Sequence, residues 1–402
     1  MVDELFNNKD IVNEISLLSN ELSGEILDFF RRLVKTKSYT GEEEEIAKII
    51  HDKMLELDYD KVWQDKLGNV IGQIGNGETI IYFDSHMDTV GVNNPNEWIT
   101  DPFSAEVKDG EVYGRGSADM KSGLAASIYA GAMLKMLGLA KDKTIYIAAT
   151  VMEEDLDGIA TLELLESLDS KPQYAIICEP TSLDIGIGHK GRALTKITVK
   201  GKAAHGSRPD LGINPTYALA EVLGRVYKWG KELMADGIEN STVAVTSIES
   251  ISDSFNSIPK SAALYIDHRF SLNENEVLFE SAMNNLISGI DAKWEICDFS
   301  ATTWTGQQVT LHSMHPAWEI DKEHDLAVNA ILACQQMGRE STQTLKLGFS
   351  TNAVATAGRW KIPTIVIGPG DVRFAHMTNE HCSIIELIDA CKIYTCMCHL
   401  LP

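Results

Sequence analysis

Between residues 79 and 178 short apolar runs alternate with stretches of helical periodicity, and this rhythm most narrows what the chain can fold into. The runs are TIIYF (79–83), TIYIAATV (144–151) and YAIIC (174–178). Helical spacing fills residues from about 121 to 137 and near 158–168. Strand, helix and strand in succession predict an open, mostly parallel sheet covered by helices.

From residue 194 the rhythm changes. ALTKITVKG reads as a strand, NPTYALAEVLGRVYKWGKELM as a long amphipathic helix, STVAVTSIESIS and SAALYIDHRFS as two strands, NENEVLFESAMNNLISGI as a helix and AKWEICDFS as a last strand. The order βαββαβ is the split, ferredoxin-like arrangement. Past residue 310 the first rhythm resumes, with a helix at 324–336, a strand at 363–368 and a helix at 382–400. The predicted fold is therefore α/β. A discontinuous domain (1–193 and 306–402) holds the central sheet, and a smaller βαββαβ domain (194–305) is inserted in it. A chain of 402 residues is long enough for two cores. Residues 23–60 read as two helices, and Thr40 with Glu43 is expected to form a capping box opening the second.

Charge and cysteine usage remove several function classes. A net charge of −23 repels phosphate backbones, so nucleic acid is not an expected partner. The first 23 residues are acidic and polar, unlike a signal peptide. No run of about eighteen apolar residues suggests a membrane span. The seven cysteines are odd in number and scattered, which argues against a disulfide framework and for the cytoplasm. Cys391, Cys396 and Cys398 lie close together. They read as small buried groups of a C-terminal helix in preference to a thiolate metal site.

Acids and histidines recur where the apolar runs end. Asp84, His86 and Asp88 follow the first, Glu153 and Glu154 the second, and Glu179 the third. His376 follows 363–368, and Asp119 precedes the helix at 121. In open α/β sheets ligands bind at the carboxyl ends of the strands, so these segments are expected to converge. Singly, each residue reads as a surface polar group or, for Asp119, a helix cap; together they are a donor set for paired zinc ions, with a carboxylate able to bridge. Asp88, two residues beyond His86 on the same side of an extended chain, can fix the imidazole tautomer. Glu153 and Glu154 cannot face the same way. One of them is left free as a general base.

The motifs HMDTV, GRGSADMKSG, MEED, CEPT and KAAHGSRP, in that order, resemble the zinc-dependent acylases and peptidases, a family that includes acetylornithine deacetylase, succinyl-diaminopimelate desuccinylase, glutamate-releasing carboxypeptidases and aminoacylases. The resemblance covers nearly the whole chain from about residue 25. It implies two Zn²⁺, with Co²⁺ or Mn²⁺ as substitutes. His86 and Glu179 would bind one ion, Glu154 and His376 the other, and Asp119 would bridge them. Asp88 would orient His86, and Glu153 would be the base. The inserted domain would serve as lid and dimerisation domain of a homodimer. Its His205 would stabilise the oxyanion of the tetrahedral intermediate. Asn256 and Arg269 would bind substrate, Arg269 by gripping a carboxylate; an arginine paired to Asp267 is the equal alternative from the residues alone. Asn352 stands where many relatives carry Asp, in a loop that lies near the substrate, and is taken as a third substrate contact. FSTN, GPGD and AHMTNE look closest to a subgroup of hydrolases named for genomic links to selenium metabolism.

The expected activity is hydrolysis of an amide in a small, carboxylate-bearing N-acyl amino acid or dipeptide, by metal-activated water with a glutamate base. Two other readings stand beside it. The same site would serve a carbamoyl or ureide bond. A non-catalytic binding protein would also keep the scaffold, but it predicts loss of Glu153 or of a ligand, and none is lost.

Overall fold

The computed structural model describes residues 2–235, 241–274 and 276–402, and the chain divides into two compact units. The first comprises Met1–Gly188, Ala301–Val309 and Glu319–Pro402. In its nine-stranded sheet, neighbouring strands run Lys61–Gln64, Val70–Ile74, Lys143–Thr150, Thr79–His86, Tyr174–Ile177, Thr364–Val366 and Ile185–His189. The four strands from Lys143–Thr150 to Thr364–Val366 are mutually parallel. Those flanking them pair antiparallel, so the sheet is mixed, with its parallel part at the centre.

The parallel strands are buried on both faces, which is why they read as continuous apolar runs. The helices Ser122–Met136 and Ile384–Leu400 are themselves buried almost all round. Ile26, Phe30 and Leu33 of the helix Val2–Lys35 also reach the core. That helix begins well before residue 23, where it was expected. Cys391, Cys396 and Cys398 are free and buried on the last helix. Burial pushes the Cys396 thiol up to about 12, and among the described residues no cysteine joins a metal-competent group. These thiols act as small apolar groups.

The expected capping box does not form. The second helix spans Glu44–Glu56 and its flanking residue is Glu43, with no side-chain cap. Thr40 Oγ1 donates instead to Asp88 Oδ2 at 2.8 Å, so a contact distant in sequence outcompetes the local one.

The second unit comprises His189–Ser300 and Thr310–Trp318. Its main sheet runs Thr242–Ile251, Ser261–Phe270, Gly191–Lys200, Ala292–Ile296 with antiparallel neighbours throughout. With the helices Pro215–Ala235 and Glu276–Ile287 this is the ferredoxin-like βαββαβ order. Ile197, Leu264, Ile266 and Phe270 pack with Leu219, Val222 and Met283, the apolar face that strand alternation predicts. Asn275, near the start of the second of these helices, lies outside the described residues. The unit's limits differ from 194 and 305. Its first strand starts at Gly191, and Met314 and His315 pair with Ala193 and Arg192 of that strand, drawing in a segment that local periodicity gave no reason to place there. Among the described residues no helix is long and apolar enough to cross a membrane.

Candidate metal centre

In-register pairing brings the acids and histidines of the first unit together. His86 ends its strand opposite Thr150, and three residues past Thr150 comes Glu153. Asp84 lies opposite Ile177 of the next strand, and two residues past Ile177 comes Glu179. The turn before Glu153 and the loop bearing His376 both use left-handed backbone, with φ of 62° at Met152 and at His376. Such φ values are uncommon outside glycine and collect at functional sites.

Two groups of donor atoms result. His86, Asp119 and Glu179 form one; Asp119, Glu154 and His376 form the other. His86 Nε2 lies 3.0 Å from Asp119 Oδ1 and 3.6 Å from Glu179 Oε1. His376 Nε2 lies 2.8 Å from Glu154 Oε2 and 3.3 Å from Asp119 Oδ2. Tetrahedral ligands at ordinary zinc distances are about 3.3 Å apart, so each group has the spacing to hold one ion and Asp119 offers one oxygen to each. Glu153 belongs to neither group. Its Oε2 is 3.9 Å from His86 Nε2, and its side chain is buried.

The charges of this cluster call for cations. Burial pushes the Glu153 and Glu179 carboxyls well above the usual range, with neighbouring carboxylates adding to the rise. Burial and the Asp119 charge take Glu154 up to about 7. Hydrogen bonds to Asp119 and Glu154 raise His376 to about 10. At His86 burial favours the neutral ring, but Glu179, Asp119, Asp88 and Glu153 together outweigh it and hold its pKa well above the histidine value. Burial thus favours the protonated form at Glu153, Glu154 and Glu179, whereas at Asp119 burial is outweighed by hydrogen bonds to His376 and His86, which hold it ionised. Divalent cations can replace the protons of the cluster.

A second set of residues fixes the first. His86 Nδ1 is 3.0 Å from the Asp88 backbone oxygen and 3.5 Å from its carboxylate. The Asp88 carboxylate accepts the backbone N–H groups of Glu153 (3.1 Å) and Glu154 (3.2 Å), so it ties both glutamates to the His86 strand end. Glu43 accepts the N–H of Met152 at 3.2 Å. Glu380 accepts those of Ala118 and Asp119 and pairs with Arg115. Neither glutamate was singled out as a site residue from sequence. Glu380 stood in the AHMTNE motif, four residues past His376, but nothing local showed it to be fully buried.

The remaining candidates separate. His205 and Asn256 lie in the second unit on adjacent chain segments: His205 pairs with Ser257, and Gly206 N–H donates to the Asn256 carbonyl at 2.6 Å. His205 is exposed, and its Nδ1 accepts the Ser207 backbone N–H at 3.2 Å. In the neutral ring the proton then sits on Nε2. Arg269 Nε donates to Asp267 at 2.7 Å, and Arg192 donates to the other oxygen of Asp267 at 3.1 Å. Asn352 corrects the expectation of a substrate contact. It is 2% exposed, and both ends of its amide are hydrogen-bonded within the protein.

A mixed α/β sheet with two carboxylate–imidazole groups sharing an aspartate at its strand ends defines a metal-dependent hydrolase. Residues 82–399 match the Peptidase family M20/M25/M40, and the chain belongs to that family. It is 29% identical to the uncharacterised YgeY protein of Escherichia coli K12 over 382 residues, 94% of each chain. It is 31% identical to the acetylornithine deacetylase of Vibrio parahaemolyticus over 331 residues, 80% of this chain and 81% of that one. The crystal structure of the aminopeptidase PepT from Bacillus cereus shares the fold, with a TM-score of 0.72 at 22% identity, covering 94% of this chain and 98% of that one.

Proposed function

We propose that this protein is a two-zinc amidohydrolase that cleaves an N-acyl amino acid or dipeptide, with Co²⁺ or Mn²⁺ able to replace zinc. The observation that carries the reading is Glu153: a buried carboxylate beside two ligand groups and a member of neither. His86, Asp119 and Glu179 hold one ion; Asp119, Glu154 and His376 hold the other. When bound, two such ions polarise a carbonyl and lower the pKa of water. Glu153 accepts the water proton on its carboxylate and delivers it to the leaving nitrogen. Burial raises the proton affinity of this carboxylate, which favours proton uptake by a general base. Asp88 keeps His86 and the Glu153–Glu154 turn in one frame.

The second unit acts as lid and dimerisation domain. The Nε2–H of His205 is a donor of the kind that stabilises a developing oxyanion, an interaction worth about 3–4 kcal/mol. Asn256 and Arg269 bind the substrate, Arg269 through a carboxylate. A homodimer would cover the edge strand Thr242–Ile251 and the groove of about 320 Å³ between it and Tyr227 and Met234, since an unpaired strand edge seeks a partner. Seven free cysteines fit a reducing cytoplasm.

The test is hydrolysis of a panel of N-acyl amino acids, dipeptides, carbamoyl amino acids and ureides by zinc- or cobalt-loaded protein, with products identified by mass. Release of a free amino acid from the acyl or peptide substrates is expected. Cleavage confined to the carbamoyl or ureide members would move the substrate class. No cleavage by protein carrying two metals would overturn the reading.

A further inference from the structure

Asn352 is remote in sequence from every ligand of the proposed centre except His376, yet its side chain joins the segments that carry His86 and Glu154. Its Oδ1 accepts the Gly158 N–H at 2.7 Å. Its Nδ2 donates to Asp84 Oδ1 at 2.8 Å and to Thr150 Oγ1 at 3.1 Å. The orientation of the amide is forced, because Gly158 presents only a donor and a carboxylate accepts. Asp84 lies two residues before His86 on its strand, and Thr150 is paired with His86 in register. Gly158 closes the turn that bears Glu153 and Glu154. At this turn Gly158 has φ of +82°, and a Cβ there would lie 2.3 Å from Val354. The turn is therefore pressed against the 352–354 segment. Ser350 adds a second tie, donating to Asp157 at 2.5 Å.

The amide is also matched to what surrounds it. Asp84 is fully buried and accepts from Tyr82 and Thr161 on one oxygen and from Thr150 and Asn352 on the other. One neutral group at 352 supplies the donor this carboxylate requires and the acceptor Gly158 requires. A carboxylate there would supply only the second and would set two acids face to face.

We infer that Asn352 is a positioning residue of the metal centre: it locks the Glu153–Gly158 turn to the ends of the His86 and Thr150 strands, and so sets where Glu154 meets the second ion and where Glu153 meets the water. This rests on the two-metal reading above. Partners that orient metal ligands typically contribute about 10–100-fold in metal affinity or activity.

The test compares Asn352→Ala, Asn352→Asp and the exchange pair Asp84→Asn/Asn352→Asp, which reverses the two groups while keeping one amide and one carboxylate. Zn²⁺ titration by calorimetry of the full chain reads both sites, and circular dichroism reads folding. The single variants are expected to weaken one zinc equivalent by about 10–100-fold while the other stays near wild type, and the exchange pair is expected to recover most of the loss. Should Asn352→Asp fail to fold, a folded exchange pair binding two zinc ions supports the inference and an unfolded one overturns it. Folded single variants with wild-type affinity at both sites also overturn it, as does an exchange pair no better than Asn352→Asp. Wild-type protein that binds no pair of zinc ions would instead remove the two-metal reading, so the two failures are distinguishable.

Discussion

Glu380 Oε1 accepts the backbone N–H of Asp119 at 3.0 Å, so the residue that both ligand groups share is held from behind by a second, fully buried carboxylate. The same oxygen takes the Ala118 N–H at 2.9 Å, while Oε2 pairs with Arg115 at 2.5 Å. Arg115 is 1% exposed. Glu380→Ala would leave its guanidinium buried without a counter-charge, at a cost of about 3–5 kcal/mol. Glu380→Gln keeps the volume and one acceptor and should lose less. Urea unfolding followed by circular dichroism checks the order: Ala far below Gln, and Gln below wild type. An Ala variant with the wild-type midpoint would remove Glu380 from the support of Asp119.

Glu153 and Glu154 are adjacent in the chain but should respond differently to truncation. Glu153→Ala is expected to lower turnover by about 10²–10⁴-fold, the range of general acid–base catalysis, and to retain two metal equivalents. Glu154→Ala is expected to lose one. Metal content by mass spectrometry, with kcat on any substrate found, separates them. Loss of metal in the Glu153 variant would make Glu153 a ligand and reverse the assignment.

Metal uptake should release protons. Without cations, Glu154 titrates at about 7 and His376 at about 10, so at pH 7 His376 holds its proton and Glu154 holds part of one. Both must lose their protons to act as ligands. Zinc affinity should therefore fall as pH falls from 8 to 6, and the apparent binding enthalpy at pH 7 should vary with the ionisation enthalpy of the buffer. Equal enthalpies across buffers would contradict the protonated cluster.

The metal-competent residues were legible because each follows a strand or precedes a helix, and a parallel sheet brings such positions to one edge. That inference needs only periodicity. The supporting residues were not legible, because their partners lie far away in the chain. Glu380 meets Asp119 across 261 positions and Asn352 meets Asp84 across 268. Thr40 matched a local capping pattern and was drawn to Asp88 instead. Arg269 shows the converse. Alternation correctly placed it away from the apolar face of its strand, and its contact with Asp267 two residues earlier was the local reading.

Glu43, which belongs to neither ligand group, should add its own pH dependence to stability. Its carboxyl is fully buried. Oε1 accepts the N–H groups of Gly41 and Met152, and Oε2 has no hydrogen-bond partner among the described residues. Burial first, and the Asp88 charge second, raise its pKa from 4.5 to about 8. Below about pH 4.5 the group is protonated in both the folded and unfolded chain, and the stability linked to its proton is fully present. Between about 4.5 and 8 the unfolded chain has lost that proton and the folded one retains it, so this stability drains away as pH rises, at up to about 1.4 kcal/mol per unit. Glu43→Gln keeps the acceptor for both N–H groups and has no proton to lose. Its melting temperature, measured in chelator to exclude metal, should match wild type near pH 5 and exceed it by several degrees at pH 8.5. A difference of the same size at both pH values would show that Glu43 is neutralised by neither burial nor Asp88, and that the variant acts through packing alone.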